Sequence, residues 1–206
     1  AGSSAIPAPY TVLTLVGHNH QVEAKDKIDV LRFTTEISQY VRSGKSADRL
    51  TFLPPVSPPT LMRLGQEIEE IKPDIIHIIA HGEGDNCLMY LGADKVEPSA
   101  LAARLCLACE DAKPKAILLS VCHSSSTFDT LKESADILIG AEGLINIIRS
   151  THYVSAFFRN LSEGRTFRQC HQRALMHLEG QESSITKLPA KIAVFPELTA
   201  PVWDSR

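Results

Sequence analysis

Runs of consecutive apolar residues alternate along this chain with stretches whose apolar positions recur every three or four residues. The first kind reads as buried strand and the second as amphipathic helix. Residues 10–16 (YTVLTLV) predict a strand ending at Gly17, and residues 26–42 carry Ile28, Leu31, Ile37 and Val41 at roughly helical spacing. Residues 49–53 predict a short strand closed by Pro54 and Pro55, and residues 60–72 put Leu61, Leu64, Ile68 and Ile71 on one helix face. Residues 74–80 (DIIHIIA) are the clearest strand, apolar on both faces as an inner parallel strand is. Residues 87–91 and 95–97 predict a small hairpin around Gly92-Ala93-Asp94. Residues 99–111 predict a helix opened by Pro98, residues 116–121 (AILLSV) a buried strand and residues 136–140 (DILIG) another. Helices over 144–161 and 167–177 lie either side of Gly164, and residues 191–195 (KIAVF) predict a last strand.

This alternation implies an α/β fold, a mostly parallel sheet with helices on both faces. No repeat, low-complexity tract or interior linker interrupts it, so one domain is expected over residues 10–206. Residues 1–9 (AGSSAIPAP) lack a charged segment followed by an apolar run and read as a cut linker or a cloning scar. At 206 residues, 44% hydrophobic and 22% charged, the chain can bury a core without disulfides or metals. Its net charge of −3 is not gathered into blocks, which argues against nucleic acid or a membrane surface as partner. No apolar stretch approaches the ~20 residues that cross a bilayer. Five cysteines, an odd number without secretory features, point to a reducing, cytoplasmic setting. Cys106 and Cys109 form a lone CxxC in a helix, which fits packing better than a metal site.

In parallel sheets ligands bind beyond the carboxyl ends of the strands. Two of those ends hold a base and a nucleophile: His81 follows DIIHIIA and Cys122 follows AILLSV, 41 residues later with a helix between. One right-handed crossover brings both ends to the same sheet edge. On neighbouring strands, ~4.8 Å apart, their side chains can meet above it. His77 lies four residues before His81, ~13 Å along an extended strand, so the two cannot share a metal. No metal or other cofactor is therefore expected. His123 adjoins Cys122 and would point to the opposite side in an extended chain.

An imidazole beside a thiol favours the nucleophilic thiolate and can later protonate a leaving amine. The backbone N–H groups of Gly82 and Cys122 are candidate oxyanion donors, and Gly82 has no side chain to block an incoming carbonyl. Taken singly, a Cys after a buried strand is usually packed and a His there usually a surface group. Their joint placement leaves a catalytic pair and a structural coincidence both open on the residues alone.

The motifs themselves resemble a known family. Residues 61–178 are similar to the CHAT domain, a caspase-like module of the clan that includes caspases, metacaspases, separase and gingipains. DIIHIIAHG resembles the family's first motif, whose final His-Gly supplies the base and part of the oxyanion hole, with His77 at its non-catalytic histidine. AILLSVCHSS resembles the second, with Cys122 as nucleophile, and ADILIGAEG with VSAFFRNLSEGRTFRQCHQRAL resembles the remaining segment. The resemblance implies a caspase-like three-layer sandwich and a cysteine endopeptidase acting on protein substrates. It also implies control by a sensor or activator in a prokaryotic signalling or defence pathway, antiviral defence included.

This chain departs from the relatives in ways that bear on specificity. The caspase form Q-A-C-x-G is absent, Ser120 stands where metacaspases carry an Asp, and Ser125 where they carry Gly. The resemblance places the substrate pocket among residues 17–20 with His18, Ser120, and residues 141–143 with Glu142. None of these is Arg or Lys, so a pocket that rejects Asp and accepts a neutral or basic residue is expected, with Glu142 as its one acid. Two other readings stand beside the peptidase: a catalytically silent caspase-like binding or scaffold module, and a flavodoxin-like small-molecule binder, disfavoured by the absence of GxGxxG and P-loop motifs.

Overall fold

A computed structural model describes residues 9–17, 29–44, 46–58, 60–92, 94–180 and 191–197. In it β1 (Tyr10–Val16) is followed by α1 (Val30–Arg42), β2 (Leu50–Phe52), α2 (Leu61–Ile71) and β3 (Ile75–Ile79). Next come β4 (Gly82–Glu83), β5 (Leu88–Leu91), β6 (Asp94–Val96), α3 (Pro98–Ala108) and β7 (Ala116–Ser120). A 3₁₀ turn (Ser124–Thr127) runs into α4 (Phe128–Leu131), then β8 (Ile137–Glu142), α5 (Ile147–Ser162), α6 (Phe167–Gly180) and β9 (Lys191–Phe195). The main sheet has the order β2-β1-β3-β7-β8-β9, parallel except for β9, and β4-β5-β6 form a small antiparallel sheet beside it.

Local chemistry sets the boundaries. Asp29 accepts a hydrogen bond from the Arg32 backbone N–H and caps α1, so the helix begins at Val30, after the start that periodicity suggested. Thr60 caps α2 in the same way, and Lys72 ends it in the left-handed conformation. Asn146 caps α5, accepting from Ile148 N–H, so residues 144–146 are connection and not helix. β8 runs two residues beyond DILIG because β9 pairs with it as far as Glu142↔Lys191.

Every residue of β3 and β7 is buried, as their unbroken apolar runs require. On one face α2 and α3 bring Leu64, Ile68 and Leu105 into a core with Leu13, Ile76 and Ile117. On the other, α1, α5 and α6 pack Ile37, Phe157, Phe158 and Ala174 with Val12, Ile75 and Leu118. Each large side chain so buried contributes about 1.5–3 kcal/mol relative to exposure. The result is the three-layer sandwich that the alternation implied, with the ends of β3 and β7 side by side at one edge. None of the described helices is long and apolar enough to cross a membrane.

Candidate active site

β3 and β7 are hydrogen-bonded neighbours, and their last paired residues are Ile79 and Ser120. The Ala80 N–H still reaches the Ser120 carbonyl at 3.5 Å. His81 and Cys122 each follow two residues beyond the last pair. The chains stay in touch one step further, because a Cβ at Gly82 would lie 2.5 Å from the Cys122 carbonyl oxygen and 2.8 Å from Val121 Cγ1. Glycine at 82 thus lets the segment that carries His81 lie against the backbone of Cys122. Gly82→Ala is expected to push the two segments apart at a cost in thermal stability, because the clash is with backbone, and a peptidase acting through them would lose about a hundredfold or more in kcat on a cleavable peptide.

Three groups that sequence reasoning did not find hold Cys122 in place. The Cys87 thiol donates to the Cys122 carbonyl at 3.2 Å. Burial first, and then the neighbouring Cys122, push Cys87 up to about 12, so it stays a neutral donor. The Ser124 hydroxyl donates to the Leu119 carbonyl (3.4 Å) and accepts from Ala141 N–H (2.9 Å), tying the turn after the nucleophile to β7 and β8. The connection after β8 holds the thiol itself: Ile145 N–H lies 3.5 Å from Cys122 Sγ and the Ile145 carbonyl 3.9 Å from it. No sequence motif marks these contacts, and all but the Ser124–Leu119 bond join segments far apart in the chain.

Cys122 is half-buried, unlike the fully buried Cys87, Cys109 and Cys170. The expectation for His123 rested on an extended chain. The chain is not extended there: His123 takes the left-handed conformation (φ 58°), which His tolerates better than most residues. Its N–H donates to the Gly143 carbonyl at 2.7 Å, and its Nδ1 lies 3.9 Å from the exposed Asp85 carboxylate.

Of the expected pocket residues, Ser120 and Glu142 are described. Ser120 is buried, and its hydroxyl accepts from Ser150 Oγ (2.6 Å) and shares a hydrogen bond with His77 Nε2 (2.8 Å). Burial holds His77 down at about 3, so this chain of polar groups is uncharged. Ser120, Gly140, Ile145, Ser150, Tyr153 and Ile192 are among the residues lining a narrow cleft of about 10 Å³. Glu142 lies in β8, not in a loop, and pairs with Lys191 of β9 at 2.7 Å. His18 falls outside the described residues. A larger cavity, of about 260 Å³, lies between α1 and the sheet around Thr14, Ser38, Phe52, His77 and Phe158; none of its lining comes from the strand ends that carry His81 and Cys122.

No protein-family model matches the sequence, and no curated protein does. Solved structures do. The chain superposes on a secreted C11 cysteine protease from Bacteroides thetaiotaomicron, iotapain, with a TM-score of 0.67 at 12% identity over 92% of this chain and 66% of that one. A secreted C11 cysteine protease of the same organism in complex with an irreversible peptide inhibitor gives 0.61 at 12% identity over 91% and 65%. The structure of pro-sf-caspase-1 gives 0.52 at 9% identity over 91% and 90%. The chain spans just under two thirds of the C11 structures. At these identities the likeness is one of fold, and the fold is caspase-like.

Proposed function

We propose that this chain is a cysteine endopeptidase in which His81 is the base and Cys122 the nucleophile. The observation that supports the reading is the register of β3 and β7, whose last paired residues, Ile79 and Ser120, each lie two positions before the imidazole-bearing and the thiol-bearing residue. His81 takes the thiol proton and the sulfur attacks the carbonyl carbon of a peptide bond. Gly82 and Cys122 N–H groups bind the oxyanion of the tetrahedral intermediate. Collapse passes the proton from His81 to the leaving amine and leaves a thioester, which water then hydrolyses. The caspase-like fold supports this chemistry, since the neighbouring structures are of cysteine proteases. The motifs DIIHIIAHG and AILLSVCHSS support placing the chain with CHAT peptidases, which act on protein substrates under a sensor or activator in the cytoplasm.

Labelling tests the pair directly. A peptidyl acyloxymethyl ketone is expected to alkylate Cys122 and to fail on His81→Ala. Peptide mapping separates Cys122 from Cys106, the exposed thiol among the described residues. Equal labelling of the two proteins would reduce the chain to a silent scaffold with an accessible thiol.

A further inference from the structure

The cleft beside the thiol has a composition that chooses a side chain. Ile145 joins the two: its backbone N–H touches Cys122 Sγ, and it forms one wall of the cleft. Ser120, the last residue of β7 and two before Cys122, forms part of the floor with Ser150. Cys122 itself is not among the lining residues; Ile145 is what brings the cleft to the thiol.

No Asp, Glu, Lys or Arg lines the cleft. Its polar atoms already have partners. Ser150 donates to Ser120, Ser120 meets His77, and the Tyr153 hydroxyl is taken by His171 Nδ1 at 2.6 Å. Glu142, the acid expected to attract a basic side chain, is matched by Lys191. An ionised side chain would therefore enter without a counter-charge, at a cost of several kcal/mol. Space is also short. About 10 Å³ admits a group near the size of one water, and Ile145 closes the wall. The connection that carries Ile145 and the first turn of α5 are apolar at the surface too, with Leu144 64% and Ile148 40% exposed, which suits uncharged substrate on either side of the cut.

We propose that this cleft, floored by Ser120 and Ser150 and walled by Ile145, binds the residue before the scissile bond and selects a small uncharged side chain such as Ala or Ser. The inference rests on the peptidase reading. It narrows the expectation of a neutral or basic residue to the neutral half, and it makes Ile145 the residue that sets size.

Peptides varied only at that residue test it. Ala and Ser are expected to exceed Asp, Lys and Arg at least tenfold in kcat/KM. Ile145→Ala is expected to raise the Leu-to-Ala ratio tenfold or more. A preference for any charged residue overturns the proposal, and an unchanged ratio in Ile145→Ala overturns the role of Ile145. Peptide aldehydes bearing the same residues supply the ranking even if no peptide turns over, through protection of Cys122 from iodoacetamide. Protection independent of the residue also overturns the proposal. Iodoacetamide itself carries no such side chain, so Cys122 alkylation that does not depend on His81 removes the peptidase reading instead.

Discussion

Cys122→Ala and His81→Ala are each expected to lower kcat/KM by about a thousandfold or more on any substrate the wild-type protein cuts, roughly 4 kcal/mol of transition-state stabilisation. The double replacement is expected to be no worse than either single one. A thiol without its base and a base without its thiol both leave only binding and the oxyanion donors, so the two losses do not add. Both residues follow the last paired positions of β3 and β7, outside the buried runs that make the core. The variants should therefore unfold within a few degrees of wild type, which separates loss of chemistry from loss of fold. Cleavage by Cys122→Ala at the wild-type rate, or losses that add in the double variant, would show that the two do not act as a unit.

A second large effect is expected in acid. Burial lowers His77 to about 3 and His171 to about 4, while an unfolded chain leaves histidine near 6.5. A depressed histidine is neutral in the native state, and the unfolded state takes up the proton first. The stability tied to its neutrality is thus intact above about pH 6.5 and is lost as pH falls toward the native values. At pH 5 each histidine should cost roughly 2 kcal/mol relative to pH 7. Urea titrations at the two pH values would measure it. His77→Gln and His171→Gln should each flatten the difference, whatever they do to stability at pH 7. An unaltered slope would mean that these rings are already charged in the folded protein.

The sequence was most legible where burial was most complete. DIIHIIA and AILLSV lie between other strands and under helices on both faces, so burial demanded apolar residues throughout and the pattern had no polar side to blur it. The candidate dyad followed from two strand ends and one crossover, conditional on the strands being neighbours, and they are. What the sequence hid depends on partners far along the chain. The burial of Ser120 and its bond from Ser150, thirty residues on, could not be read because nothing local shows that partner. Glu142 looked like a loop residue because its strand is prolonged by β9, about fifty residues later. The Ser124–Thr127 turn, at four residues, is too short for any periodicity to mark. Cys87, one of the expected hairpin residues, gave no hint that its thiol would reach across to the nucleophile's carbonyl.

The parallel pairing of β3 with β7 also has a bearing on when chemistry can begin. Parallel neighbours cannot be joined by a tight turn, and here the connection carries the small sheet and α3. Such long-range pairings form late, after the entropy of closing their loops has been met. During synthesis His81 emerges well before Cys122, and a chain ending before residue 116 holds a base with no nucleophile. Ser124 then needs β8 before its hydroxyl can accept from Ala141. On the peptidase reading, hydrolytic competence is a property of the completed sheet, and a nascent or partly unfolded copy carries the reactive groups without the power to cut its neighbours.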